Sequence, residues 1–207
     1  MANNFFNAVK PNISANASAP TTVYTPSGIK AIAIELDAAN KSTAGVTITV
    51  SIEDNSANAS ATAATVSSAA NGTFTDNSHG LVVGDRLLFA FNTAPNIQSG
   101  STDSALLNTK IYYVQAADTN TFHIAETRSA GTPIKFSSAG VSITYIKKSI
   151  SDIVRDAPVP VGGTLKVISG QKLVLESSAA NSNDKLYAYC TSANDVDAIA
   201  SVLEDVS

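Results

Sequence analysis

"IKAIAIELDA" (residues 29–38) and "VTITVSIED" (46–54) alternate apolar residues with small or polar ones at every second position, and no stretch of the chain sustains the i, i+3, i+4 apolar spacing of a helix. A side chain that repeats with period two can bury one set of residues only as a strand, so the chain is expected to be all-β. The connecting "ANKSTAG" supplies a turn between these two strands. Further along, "GTLKVISGQKLVLESS", "DKLYAYCTS" and "AIASVLEDV" read the same way. Pro158 and Pro160, followed by Gly162 and Gly163, exclude a central strand there and imply a sheet edge or a connection.

The texture is not uniform. Residues 53–72 are a low-complexity Ala/Ser/Asn/Thr stretch, in which "ATAATVSS" has strand character. After it come short, closely spaced strand-like runs, "GTFTD", "DRLLFAF", "KIYYVQAA", "TFHIAET", "IKFSS" and "VSITYI", which hold five of the seven Phe and three of the six Tyr. A segment with its own aromatic supply can build its own small core. The sequence therefore predicts an outer β-sandwich made of 21–57 plus 147–207, interrupted by a β-module over 58–146, with the strands on either side of the insertion lying next to each other. Residues 1–20, "MANNFFNAVKPNISANASAP", show no sustained period and read as an extended N-terminal arm, mobile in the free subunit. Phe5, Phe6, Val9 and Ile13 give that arm something apolar to bury against a partner.

Composition narrows the function. A net charge of −4, a pI near 5.0 and no basic run longer than Lys147-Lys148 weigh against a nucleic-acid or anionic-membrane partner. Charged residues are 14% of the chain, against roughly 25% in typical soluble domains. Such neutrality suits faces that lie against neighbours in an assembly, where unpaired charges are costly to desolvate. Cys190 is the only cysteine, so it forms no intrachain disulfide or thiolate metal site, and its place in "KLYAYCTS" is that of a small buried hydrophobe. No stretch has the apolar length of a membrane span, and "MANNFFNAVK" lacks the apolar core of a secretion signal, so synthesis in a cytoplasm is expected.

The histidines carry little chemistry. In "TDNSHGLVVGDRLLFA", Asp76, Asn77, Ser78 and Gly80 are turn formers, and Gly84-Asp85 marks a second turn. Ser78, His79 and Asp76 are too close on one turn to align as nucleophile, base and orienter. A metal site from Asp76, His79 and Asp85 matches no recognised spacing. His123, opposite in parity to Phe122 and Ile124, is expected at an exposed strand position. These readings assign no catalytic, cofactor-binding or metal-ligating residue.

"HGLVVGDRLLFAF", "KIYYVQAADTNTFHIAET" and "IKFSSAGVSI" together resemble a small β-module of tailed-bacteriophage virion proteins, over nearly all of 72–144. The flanking "TVYTPSGIKAIAIELDAAN" and "RDAPVPVGGTLKVISGQKLVLESSAANSNDKLYAYC" resemble short β-sandwich virion proteins of the same class. The resemblance implies a non-enzymatic structural component of a virion, an accessory protein on the tail, neck, baseplate or capsid exterior, and no cofactor. Its partners would be other virion structural proteins and further copies of itself, since closed symmetry satisfies sheet edges. The alternative is a module binding host-surface glycans through aromatic platforms, for which Tyr112, Tyr113, Phe89 and Phe91 are the candidates; alternation places Tyr112 and Tyr113 on opposite faces, so that one of them belongs to the core.

Overall fold

A computed structural model of the protein describes residues 4–128, 131–178 and 182–205. The chain is all-β, with one short 3-10 turn at Asn55–Ala57. The first four strands are β1 (Asn4–Lys10), β2 (Thr21–Tyr24), β3 (Lys30–Asn40) and β4 (Val46–Glu53). Then come β5 (Thr62–Ser68), β6 (Thr73–Thr75), β7 (Arg86–Ala90), β8 (Ile97–Ser99), β9 (Ile111–Ala117), β10 (Thr121–Ala125), β11 (Lys135–Phe136) and β12 (Ile143–Lys148). The last six are β13 (Ile150–Val159), β14 (Thr164–Ile168), β15 (Leu173–Ser178), β16 (Ser182–Asn183), β17 (Lys185–Cys190) and β18 (Val196–Glu204).

Two compact units result, one from Met1–Ala57 with Ser149–Ser207 and the other from Asn58–Lys148. The second boundary lies at 148 and not 146 because β12 continues its ladder with β7 through Lys147↔Leu87 and Lys148↔Arg86. Within the first unit β4 and β13 are antiparallel partners, with Glu53 opposite Ile150, so the chain departs from and rejoins one ladder at adjacent positions.

The first unit is a sandwich of a long sheet, β1-β18-β3-β15-β16 with β14 also on β3, and a short sheet, β13-β4-β17-β2. Their inner faces share one core. Six of its buried residues are alanines, Ala31, Ala33, Ala38, Ala188, Ala198 and Ala200. In "KAIAIEL" the alanines therefore point inward while Ile32 and Ile34 point out, so it is the smaller member of each alternating pair that is buried. Asn40, itself buried, organises the β3–β4 turn: its side-chain amide donates to the carbonyls of Ala44 (2.8 Å) and Val159 (3.1 Å), and its Oδ1 accepts from Ser42 N–H (2.9 Å). Pro158 lies in β13, one of the two outer strands of the short sheet, where a missing N–H is tolerated.

The second unit is a six-stranded closed barrel, β10-β6-β5-β12-β7-β9, beside the two-stranded β11-β8. Its core is aromatic. Phe74 stacks on Phe122 (centroids 5.2 Å, planes 9° apart) and meets Phe136 edge-on at 5.5 Å. Buried hydroxyls are satisfied: Tyr145 donates to Asp76 Oδ2 (2.7 Å), and Tyr112 accepts from Leu107 N–H (3.0 Å). At Gly72, with φ +70°, an added Cβ would collide with the Ile134 carbonyl, so both the turn and the close approach require glycine.

Residues 4–20 are not an arm. β1 pairs with β18 over seven positions from Asn4↔Glu204 to Lys10↔Ala198, and Ile13, fully buried, belongs to the sandwich core. The period was invisible because β1 carries apolar residues on both faces, Phe6 and Ala8 inward and Phe5 and Val9 outward.

Candidate interaction surface

The long sheet presents an unusual outer face. Register places Phe5 opposite Leu203, Leu203 opposite Ile32, and Ile32 opposite Val174, so one apolar row crosses four strands. At the usual strand spacing such a row is about 14 Å long. Phe5 is 60% exposed and Val174 49%, with Leu203 and Ile32 half-buried between them. A register shift between Ser201 and Val202 leaves Ile34 as an extra residue on β3, also exposed. Val9 opposite Ile199 adds a second exposed apolar pair.

Two ion pairs flank the row, Lys166 with Glu35 (2.7 Å) and Lys30 with Glu176 (3.1 Å), while Asp37, opposite Ile199, keeps one carboxylate oxygen without a hydrogen bond. Ser201 Oγ donates to Asn7 Oδ1 (3.0 Å), which occupies the polar position between the two apolar rows. The strip from Phe5 to Val174, with these two pairs beside it, can lie against a protein surface without breaking an ion pair.

The four residues predicted to touch a partner divide in two. Phe5 and Val9 are exposed on this face. Phe6 turns inward beside Tyr24 (ring centroids 6.0 Å), and Ile13 is committed to the chain's own core. Ile32, Ile34, Val174, Ile199 and Leu203 were not singled out from sequence. Their signal was present, since "AIAI", "LVL" and "AIASVL" are apolar at both parities, which a strand buried on one side alone does not require.

The other nominated residues make contacts within the chain. His79 Nδ1 accepts from Leu81 N–H (2.9 Å), Nε2 lies 3.3 Å from the Thr121 carbonyl, and the ring meets Phe122 edge-on, so the imidazole ties its turn to β10. Ser78 and Gly80 both have positive φ in that turn. Asp76 serves Tyr145, whereas Asp85 accepts from Val82 N–H (2.9 Å) and pairs with Lys147 (2.8 Å). Among the described residues no group of three or more His, Cys, Asp or Glu is placed to hold a metal ion. His123 is half-buried and not exposed, its Nδ1 enclosed without a hydrogen bond, because β10 is held between β6 and β9.

Cys190 is buried, with its Sγ donating to the Ser192 carbonyl (2.9 Å), and burial pushes the thiol's pKa up, away from the reactive thiolate. The aromatic residues nominated as glycan platforms are not on display. Phe89, Tyr112 and Tyr113 are all buried, so both tyrosines are enclosed and not one of the two, and Phe91 packs half-buried against the barrel core. Tyr113 points to the other side of β9 from Tyr112, where the Arg86 guanidinium lies 5.7 Å from its ring centre.

No family model, curated protein or solved structure matched the chain in comparisons with known proteins.

Proposed function

We propose that this chain is a non-enzymatic structural component of a tailed-phage virion, an accessory protein on the particle exterior that works through protein–protein contacts. The observation that carries the reading is the outer face of the long sheet. Its row Phe5, Leu203, Ile32 and Val174 is apolar and open, beside charges already paired within the chain. A face of that kind gains free energy by being covered. The resemblance of 72–144 and of the flanking segments to virion proteins supplies the setting, and the low charge of the chain fits a surface shared with neighbours.

Antibodies against the chain should decorate intact virions in electron micrographs. The double variant Ile32→Lys with Val174→Lys should fold but fail to incorporate. Purified particles lacking the chain, or normal incorporation of the double variant, would overturn the proposal.

A further inference from the structure

We infer that β1 is a self-pairing edge, through which two copies of this chain join antiparallel about a two-fold axis to continue the long sheet from one subunit into the other. This goes beyond the proposed function, since it concerns the chain with itself and holds for the isolated protein.

The argument begins with how the other outer strands are protected. Sheet edges expose unpaired N–H and C=O groups and are normally blunted by bulges, charges, proline or brevity. β13 carries Asp152, Arg155, Asp156 and Pro158 and has two register shifts against β4. β2 is four residues long with a shift against β17, β14 is shifted against β3, and β16 has two residues. β1 has none of these devices. It runs seven residues, "NFFNAVK", in unbroken register with β18, contains no proline, and has one charge, Lys10, at its end. Among the described residues no strand pairs its second edge, which borders a recess of about 370 Å³ reaching to Val23 and Tyr24 of β2.

The sequence of β1 then selects the occupant. In a continuous sheet, residues opposite one another must share a face. The outward residues are Phe5, Asn7 and Val9, and the inward ones Phe6 and Ala8. A two-fold must therefore centre on a residue, not between two. Centring on Asn7 pairs all seven positions: Phe5 with Val9 of the second copy, Phe6 with Ala8, and Asn4 with Lys10. Each Phe then meets a β-branched or small residue, and no like charges are opposed. Centring on Phe6 or Ala8 leaves residues unpaired and sets Phe6 against itself or against Lys10. The Asn7 register also joins the outer apolar rows, so that Val174, Ile32, Leu203 and Phe5 of one copy run on into Val9 and Ile199 of the other.

The test uses the full chain alone. Sedimentation equilibrium at ~100 μM, ten times a dissociation constant of ~10 μM, should return a weight-average mass about 1.8 times that of the chain. Phe5→Lys with Val9→Lys opposes lysines across the axis and should return the single mass with an unchanged melt, because both side chains are exposed. Phe5→Glu with Val9→Lys places Glu opposite Lys in the same register and should restore the dimer. Asn7→Cys should give a chain-to-chain disulfide on mild oxidation. If the double-lysine chain does not melt cooperatively, Phe5→Ser with Val9→Ser is read in its place. A monomeric wild-type chain at this concentration, an assembly that survives the double-lysine change, or failure of the Glu/Lys pair to restore it would overturn the inference.

Discussion

The two sheets of the sandwich share a core but differ on their outer faces. On the short sheet the outward residues are Thr47, Thr49, Ser51 and Glu53 of β4 and Lys185, Tyr187 and Tyr189 of β17. Most are bonded within the chain: Ser51 Oγ donates to Asp152 (2.8 Å), Arg155 donates to the same carboxylate (2.8 Å), Asp156 N–H donates to Thr49 Oγ1 (3.1 Å), and Tyr187 donates to Glu53 (2.7 Å). Thr49 and Ser51 are buried although they point outward, and Asp152 and Asp156 of β13 are their hydrogen-bond partners. The outer face of the long sheet also has bonded pairs, Lys166 with Glu35, Lys30 with Glu176 and Ser201 with Asn7, but it gives the positions between them to Phe, Ile, Leu and Val. The difference teaches where each face's free energy is used: side chains on the short sheet support the fold, and those on the long sheet remain available to something outside it.

The largest effect should come from the strand that serves both purposes. Deleting residues 1–14 removes β1, uncovers the edge of β18 and vacates the Ile13 site, where loss of one such side chain alone costs about 2–5 kcal/mol. Thermal melting by circular dichroism should show a large loss of stability or of cooperativity. An unchanged melt would mean that the segment is a separate arm after all.

Next in size is the contact that joins the two sheets at one end. Glu204 of β18 is buried, accepts from Tyr24 Oη of β2, and accepts from Ser27 N–H and Oγ (both 2.8 Å). Burial pushes its pKa up, but the donors outweigh burial and hold the carboxyl below the ordinary glutamate range. Burial and the neighbouring carboxylate hold the Tyr24 phenol well above its ordinary value. A depressed folded-state pKa gives stability that is present above the unfolded value and is lost as pH falls through the folded one. Stability should therefore decline on the acid side of the glutamate range. Glu204→Gln should cost about 1–3 kcal/mol at neutral pH and flatten part of that decline. Equal acid sensitivity in the variant would assign the decline to other carboxylates, such as Asp197, held low by Lys41.

The smallest effects are the sharpest comparison. Asp152→Ala on the short sheet should cost about 1–2 kcal/mol, because Ser51 and Arg155 lose their acceptor, and should leave association untouched. Val174→Lys on the long sheet should stay within about 0.5 kcal/mol of wild type while weakening binding of any partner to that face. Denaturant melts with light scattering measure both. The reverse pattern would exchange the roles of the two faces.

Much of the fold was legible. Period-two alternation identified β3, β4, β17 and β18, Pro158 marked an edge, and His79 read as a turn residue, because each is a local property of the backbone. Other features were not. In β9 both Tyr112 and Tyr113 are buried, since a barrel wall can be covered on either side, and alternation reports which residues share a face but not what lies over it. The surface residues Ile32, Ile34, Val174, Ile199 and Leu203 were missed for a related reason. The three isoleucines sit among alanines, where local pattern ranks the isoleucine, not the alanine, as core, and Val174 and Leu203 sit beside other large apolar residues from which pattern does not separate them.

The amino-acid sequence alone determined that this chain is made of strands and that residues near 58–146 have a separate aromatic core, because backbone periodicity and residue type are fixed before folding. Only the tertiary structure decided which parity of each strand faces inward. That choice depends on how closely two sheets approach: alanines at 31, 33, 198 and 200 form the interior, and the larger side chains beside them are turned to the surface. A change of one residue in register would exchange the two sets, so the identity of the surface is a property of the packing.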